Sequence, residues 1–302
     1  MLRSLTSGVS AMQQFQQELD VIGNNIANVN TTGFKGARID FEDSFSQTLS
    51  STSGGVPIQI GTGVGTSAIS NQFLQGAVSN TGTNTDLAVS GSGFFVVRDT
   101  LSNAEYVTRD GAFHLDKDGY LTTAAGMRIQ GFTDSALTTR GDVLIDATDI
   151  QATRIASAQA ALAAATTQAE TDAANAALTA AQNLKVASFK IDSEGKINAR
   201  LSDGTEYVRA QVLLQTFRNP QALSKEGGNL YSNLTAAGGL TQTEAPGTNG
   251  LGAIKSGALE GSNVDLANEF STLITTQRAF QASARIITTS DEILQELVSL
   301  KR

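Results

Sequence analysis

The sequence predicts an α+β protein. Long N- and C-terminal helices form a coiled-coil layer, a central all-β domain is built of hairpins, and an Ala-rich helical insert interrupts that domain. Three observations carry this expectation. An apolar stripe with a period near 3.5 lies at each end of the chain, a strand–turn–strand sequence occurs twice in the middle, and about half the residues from Ala156 to Ala181 are Ala.

With 302 residues the chain can form one large domain or two small ones. Hydrophobic residues make up 40%, there is no Trp, and 29 residues are Gly, so the core is thin and turns are many. That mixture suits short strands, and helices packed closely on small side chains.

At the N-terminus apolar residues fall at Leu5, Val9, Met12, Phe15, Leu19, Ile22, Ile26 and Val29, in steps of three and four. This is the spacing of an amphipathic helix with a coiled-coil seam, and Gly33 is a suitable stop. Residues 1–33 are therefore assigned to a terminal helix, and 34–79 to a connecting segment.

The β domain is expected over 80–150 and 186–261. Phe94-Phe95-Val96-Val97 follows Ser90-Gly91-Ser92-Gly93 and reads as a buried strand after a turn. Phe113–Leu121 resembles Phe189–Ile197; each is a strand, an acidic Gly turn and a second strand. Glu105-Tyr106-Val107 recurs as Glu206-Tyr207-Val208. Between the repeats, 151–185 is assigned to a helix or helical pair, because Ala is the best helix former. The insert has little to bury beyond Leu162 and Leu178.

The C-terminal segment 262–302 carries the strongest periodicity. Leu266, Phe270, Leu273, Gln277, Phe280, Ala284, Ile287, Asp291, Leu294 and Val298 alternate in steps of four and three. Ile286, Ile293, Leu297 and Leu300 widen the stripe, and Ser262 with Asp265 resembles a capping box. One such stripe is ordinarily a helix lying on its own core. Two at opposite chain ends, with polar Gln277 and Asp291 inside a seam, point to assembly helices. The expected assembly interface is Leu5, Val9, Met12, Leu19, Ile22 and Ile26, together with Leu266, Phe270, Leu273, Gln277, Phe280, Ala284, Ile287, Leu294 and Val298.

Several function classes are excluded on composition. The formal charge is −8 and the basic residues do not cluster, which argues against a nucleic-acid partner. No apolar run approaches the roughly 20 residues of a membrane span. Met1-Leu2-Arg3-Ser4-Leu5 is not followed by the apolar core of a cleaved signal peptide. There is no Cys, and His114, the single histidine, lies beside a hairpin turn without triad or zinc partners. Gly61-Thr62-Gly63-Val64-Gly65 lacks the Lys-Ser/Thr of a phosphate loop, and Asp116-Lys117-Asp118-Gly119 misplaces the Gly of a calcium loop. No catalytic, cofactor-binding or metal-binding residue is assigned, and the protein is expected not to be an enzyme. A cell-wall hydrolase would need carboxylates in a pocket; Glu105 and Glu206 instead read as solvated strand positions. A secreted coiled-coil adhesin would not need the Asn-rich run from Asn24 to Asn30.

Three stretches resemble the flagellar rod and hook proteins. They are Leu19–Lys35 (LDVIGNNIANVNTTGFK), Asp86–Phe95 (DLAVSGSGFF) and Ser256–Leu266 (SGALEGSNVDL) with the helix that follows. The resemblance implies that the terminal helices form the inner layer of a hollow helical tube and the β domain its outer layer. It implies a homo-polymer joined to other axial proteins (rod, hook cap and hook–filament junction). Export would run through the flagellar export apparatus, without a cleaved signal. The two chain ends look most like a short hook protein, which couples rod to filament and transmits torque outside the cell. A distal rod protein of the basal body is the alternative. The Ala-rich insert departs from the family pattern.

Overall fold

The computed structural model describes residues 2–51, 57–239 and 243–300. Its helices are α1 (Leu2–Ala27), α2 (Thr148–Ala164), α3 (Gln168–Gln182) and α4 (Leu266–Leu300). The chain divides into two compact units, 1–74 with 262–302 and 75–261.

In the first unit α1 and α4 lie side by side and antiparallel. Asn25, near the end of α1, bonds Glu269 at the start of α4 at 3.2 Å, while Gly8 lies against Ser283 and Ile287. α1 stops at Ala27, short of Gly33, because the Asn side chains compete with the helix. The Asn28 amide bonds back to the Asn24 carbonyl at 2.9 Å, and Gly33 adopts φ +67°. α4 starts at Leu266, with Asp265 Oδ1 accepting from the Ala267 N–H at 2.9 Å. Ser262 bonds the Val264 N–H, so the expected Ser262/Asp265 capping box is replaced by a cap on Asp265 alone.

The expected connecting segment 34–79 is no plain connection. Strands Ala37–Asp43 and Val64–Asn71 pair antiparallel and continue as Ser46–Ser51 with Pro57–Gly61, making one long hairpin. Residues up to Leu74 belong to the helical unit, because Phe41 meets Phe15 edge-on at 6.4 Å and Ser10 accepts from the Val64 N–H. Gly63, at φ +142°, lies so close to α1 that a Cβ there would stand 2.4 Å from Ser10 Oγ.

The second unit is built around an antiparallel sheet. Along it run strands 186–191, 196–201, 206–212, 128–132, 94–98, 105–108, 230–232 and 224–227, with shorter strands attached. Leu87, Phe95, Val97, Phe113, Ile129, Ile197 and Val212 form its buried core. The two repeated words are equivalent turns. Gly119 N–H bonds the Asp116 carbonyl and Gly195 N–H the Asp192 carbonyl, both at 2.9 Å. Both glycines have positive φ, +87° and +75°.

The Ala-rich segment is a helical hairpin, α2 and α3, starting three residues before the expected 151. Thr167 and Glu170 form a reciprocal capping box at the start of α3. Ala158, Ala174 and Ala181 are buried, and a small core of Ala147, Leu184 and Leu201 seats its base. Arg209, almost fully buried, bonds Asp146 and Asp149 at 2.8 Å each, tying the start of α2 to the sheet.

Candidate assembly interface

The α4 face that meets α1 repeats every seven residues. Thr276, Ser283 and Ser290 are buried, and Leu273, Phe280, Ile287 and Leu294 are half-buried. The second row is therefore one residue away from the one read in the sequence. Of the expected seam, Leu266, Phe270, Gln277, Asp291 and Val298 are exposed within the chain, and Ala284 is half-buried.

The two helices touch at Gly8, where a Cβ would come within 3.2 Å of Ile287 Cγ1 and 3.7 Å of the Ser283 carbonyl, and the buried row beside that contact carries small residues, Thr276, Ser283 and Ser290. Burying hydroxyls there is inexpensive, since Ser283 donates to the Ala279 carbonyl at 3.0 Å and Ser290 to that of Ile286 at 2.7 Å.

On α1 the expected residues Leu5, Val9, Met12, Leu19 and Ile26 are half-buried and Ile22 is buried. α1 has α4 on one side and the hairpin on another, where the Thr66 hydroxyl is within hydrogen-bond reach of the side-chain amides of Gln14 and Gln17. Its apolar stripe is largely used inside the chain, and most of its exposed positions are polar, among them Gln13, Gln16 and Asp20. α4 differs. Ile286, Ile293, Leu297, Val298 and Leu300 are 47–82% exposed, and Phe270 and Ile274 add a second apolar patch toward its start. Among the described residues, the large apolar side chains left exposed in the helical pair thus lie on α4.

The sequence-level reading missed the buried polar groups that hold this frame. Asn25 bonds Ala37 through both its amide N and O, and Asn263 Oδ1 accepts from the Gly36 N–H at 2.8 Å while its Nδ2 donates to Gln72. Lys35, fully buried, donates to the Leu74 carbonyl at 2.7 Å. In the sheet unit Arg109 pairs with Glu260 at 3.2 Å, both buried, with Arg109 5.1 Å from the centre of the Phe94 ring. Glu260 also accepts from the Gly76 N–H. Desolvation lowers the Arg109 pKa, and the charge of Glu260 opposes that shift. Asn25 lies in the Asn-rich run and Glu260 and Asn263 in SGALEGSN, where polarity reads as exposure, and nothing local marks Lys35 or Arg109 as buried.

Among the described residues no three His, Cys, Asp or Glu side chains are grouped to hold a metal ion. Nor is any described helix long and apolar enough to cross a membrane. His114 is exposed on a short strand, and Glu105 and Glu206 are exposed, Glu105 pairing with Arg140.

Three family descriptions match the chain. They are flagella basal body rod protein over 5–35, flagellar hook protein FlgE/F/G D1 domain over 88–199, and flagellar basal body rod FlgEFG protein C-terminal over 255–300. The flagellar basal-body rod protein FlgG of Bacillus subtilis is 40% identical over 309 aligned residues, covering 100% of both chains. The flagellar hook protein FlgE of Borreliella burgdorferi is 30% identical over 444, and the rod protein FlgG of the same organism 31% identical over 314, again across both chains in full.

Proposed function

The chain belongs to the family of flagellar rod and hook proteins, and from that premise we propose that it is a rod subunit, polymerising with its own copies into a hollow helical tube. The observation that carries the assembly reading is the exposed apolar row of α4, Ile286, Ile293, Leu297 and Leu300, which the chain itself does not cover. A row of that kind is the mark of an interaction surface. On this reading the paired helices form the inner layer, the sheet unit the outer one, and other flagellar axial proteins cap the tube's ends. The subunit is structural, needs no cofactor and reaches its place through the flagellar export apparatus.

Length supports rod over hook. The Bacillus subtilis rod relative aligns over 309 residues, close to this chain's 302, whereas the Borreliella hook relative needs 444. The hook is the second reading, favoured by the chain ends and by the full-length hook match. Electron microscopy of tubes grown from purified protein tests both: straight rigid tubes are expected of a rod, curved ones of a hook. A chain that stays monomeric at every concentration would overturn the assembly reading.

A further inference from the structure

In the helical unit a cleft of about 580 Å³ opens where the end of α1, the start of α4 and the base of the hairpin meet. Its apolar wall includes Val21, Ile22 and Phe41, and Phe41 is 39% exposed. Carboxylates of Glu18, Asp265 and Glu269 lie along it. Arg38, the cation among the lining residues, is engaged by Asp40 at 2.9 Å. The cleft therefore offers an apolar floor and a negative rim.

The opposite character is found at the other end of α4. α4 runs well past Ile287 to Leu300, whereas α1 begins at Leu2, about two turns before Gly8. The last turns of α4 thus have no α1 beside them, and Leu297, Val298 and Leu300 are exposed there. Lys301 and Arg302 follow in the sequence, while the acidic side chains of this stretch, Asp291, Glu292 and Glu296, all precede Leu297.

We propose that the cleft receives the last turns of α4, with Lys301 and Arg302, from a second copy of the chain. The chain's own tail cannot fill it, because α4 has 35 residues and holds the tail on the order of 50 Å from the cleft at its start. A contact between one end of a subunit and the other end of the next is heterologous and need not close, so it propagates as an open fibre. Charge sets register and apolar burial gives affinity. This rests on the assembly reading above and deepens it by naming one contact.

The test uses the full chain and reads polymer by sedimentation. Glu18→Lys alone, and Lys301→Glu with Arg302→Glu alone, should each raise the critical concentration about fivefold or more. Combining them should return it to within about twofold of the native value, since each reversal then meets its opposite. A combination no better than either alone, or reversals without effect on a polymerising chain, would overturn the proposal. A synthetic peptide of residues 288–302 separates this from failure of the assembly reading. It should bind the native monomer and perturb the amide signals of Val21 and Phe41, and bind more weakly to Glu18→Lys. Absence of binding would overturn the cleft contact whether or not tubes form, and leave the cleft to some other occupant.

Discussion

The side-chain amide of Asn25 is hydrogen-bonded in both directions to the backbone of Ala37. Nδ2 donates to the Ala37 carbonyl at 2.8 Å, and Oδ1 accepts from its N–H at 3.0 Å. One α1 side chain thereby takes the place of a strand partner and fixes where the hairpin leaves the helices. Asn25→Leu keeps the volume but leaves both groups unpaired, at about 1–3 kcal/mol each. The expected outcome is faster amide exchange across α1 and the Ala37–Asp43 strand, with the sheet unit unchanged. Native protection in that variant would show the bonds to be dispensable.

Glu269 accepts from Asn25, and burial, with a smaller contribution from Asp265, raises its pKa above the ordinary 4.5. A raised carboxyl pKa means the folded state binds the proton more tightly than the unfolded one. Its contribution is fully present below about 4.5 and is lost as pH rises through the raised folded value. Glu269→Gln, which keeps an acceptor for Asn25, should therefore be more stable than the native chain at neutral pH. The advantage should shrink as the pH falls into the carboxyl range. Thermal melts at several pH values check this, and an advantage that grows on acidification would contradict it.

Ile293 and Phe280 lie on the same helix, but only Phe280 is on the face that meets α1. Ile293 is 49% exposed, so Ile293→Asp should leave monomer stability within about 0.5 kcal/mol while blocking polymer. Phe280→Asp places a carboxylate in the half-buried seam and should loosen the α1–α4 pair itself, at a cost of several kcal/mol. Circular dichroism of the monomer with sedimentation of the polymer tells the two effects apart. Normal tubes from Ile293→Asp would remove the outer row from the interface.

The Arg109–Glu260 pair should be costly to break and cheap to replace. Glu260→Ala strands a buried guanidinium and should destabilise the sheet unit by about 3–5 kcal/mol. Glu260→Gln with Arg109→Met removes both charges, retains an acceptor for Gly76 and should recover most of that loss. Urea unfolding followed in the sheet unit gives the comparison.

Replacing residues 154–181 by a short Gly-Ser link should leave the sheet folded. The deletion spares Asp146, Asp149 and Leu184, which hold the base of the helical hairpin through Arg209 and the small core. It removes the partly exposed Arg154–Asp203 pair, worth at most about 1 kcal/mol. Native-like melting of the monomer is expected, and an unfolded monomer would show that the hairpin supports the sheet. A sound monomer with unstable tubes would instead place the hairpin between subunits.

What the sequence by itself determined is whatever local periodicity and turn chemistry dictate. The 3–4 spacing placed a helix at each end, the Asp-x-x-Gly words marked the turns at Gly119 and Gly195, and Ala content located α2 and α3. Each signal arises from side chains within a few residues of one another. Only the tertiary structure decided which α4 row is inside. A stripe continued at strict four-three spacing selects Gln277, Ala284 and Asp291 as the second row, whereas the folded helix pair buries Thr276, Ser283 and Ser290, with Gly8 beside Ser283. It likewise decided that the hairpin after Phe34 joins the helices, and that Asn25, Lys35, Arg109 and Glu260 are buried. Their partners are backbone groups and side chains that only folding brings close, Glu260 meeting Arg109 across 151 positions of chain. The same long-range geometry leaves Ile286 and Ile293 outside, since a helix with one face filled by its own chain can offer only the remainder to a neighbour.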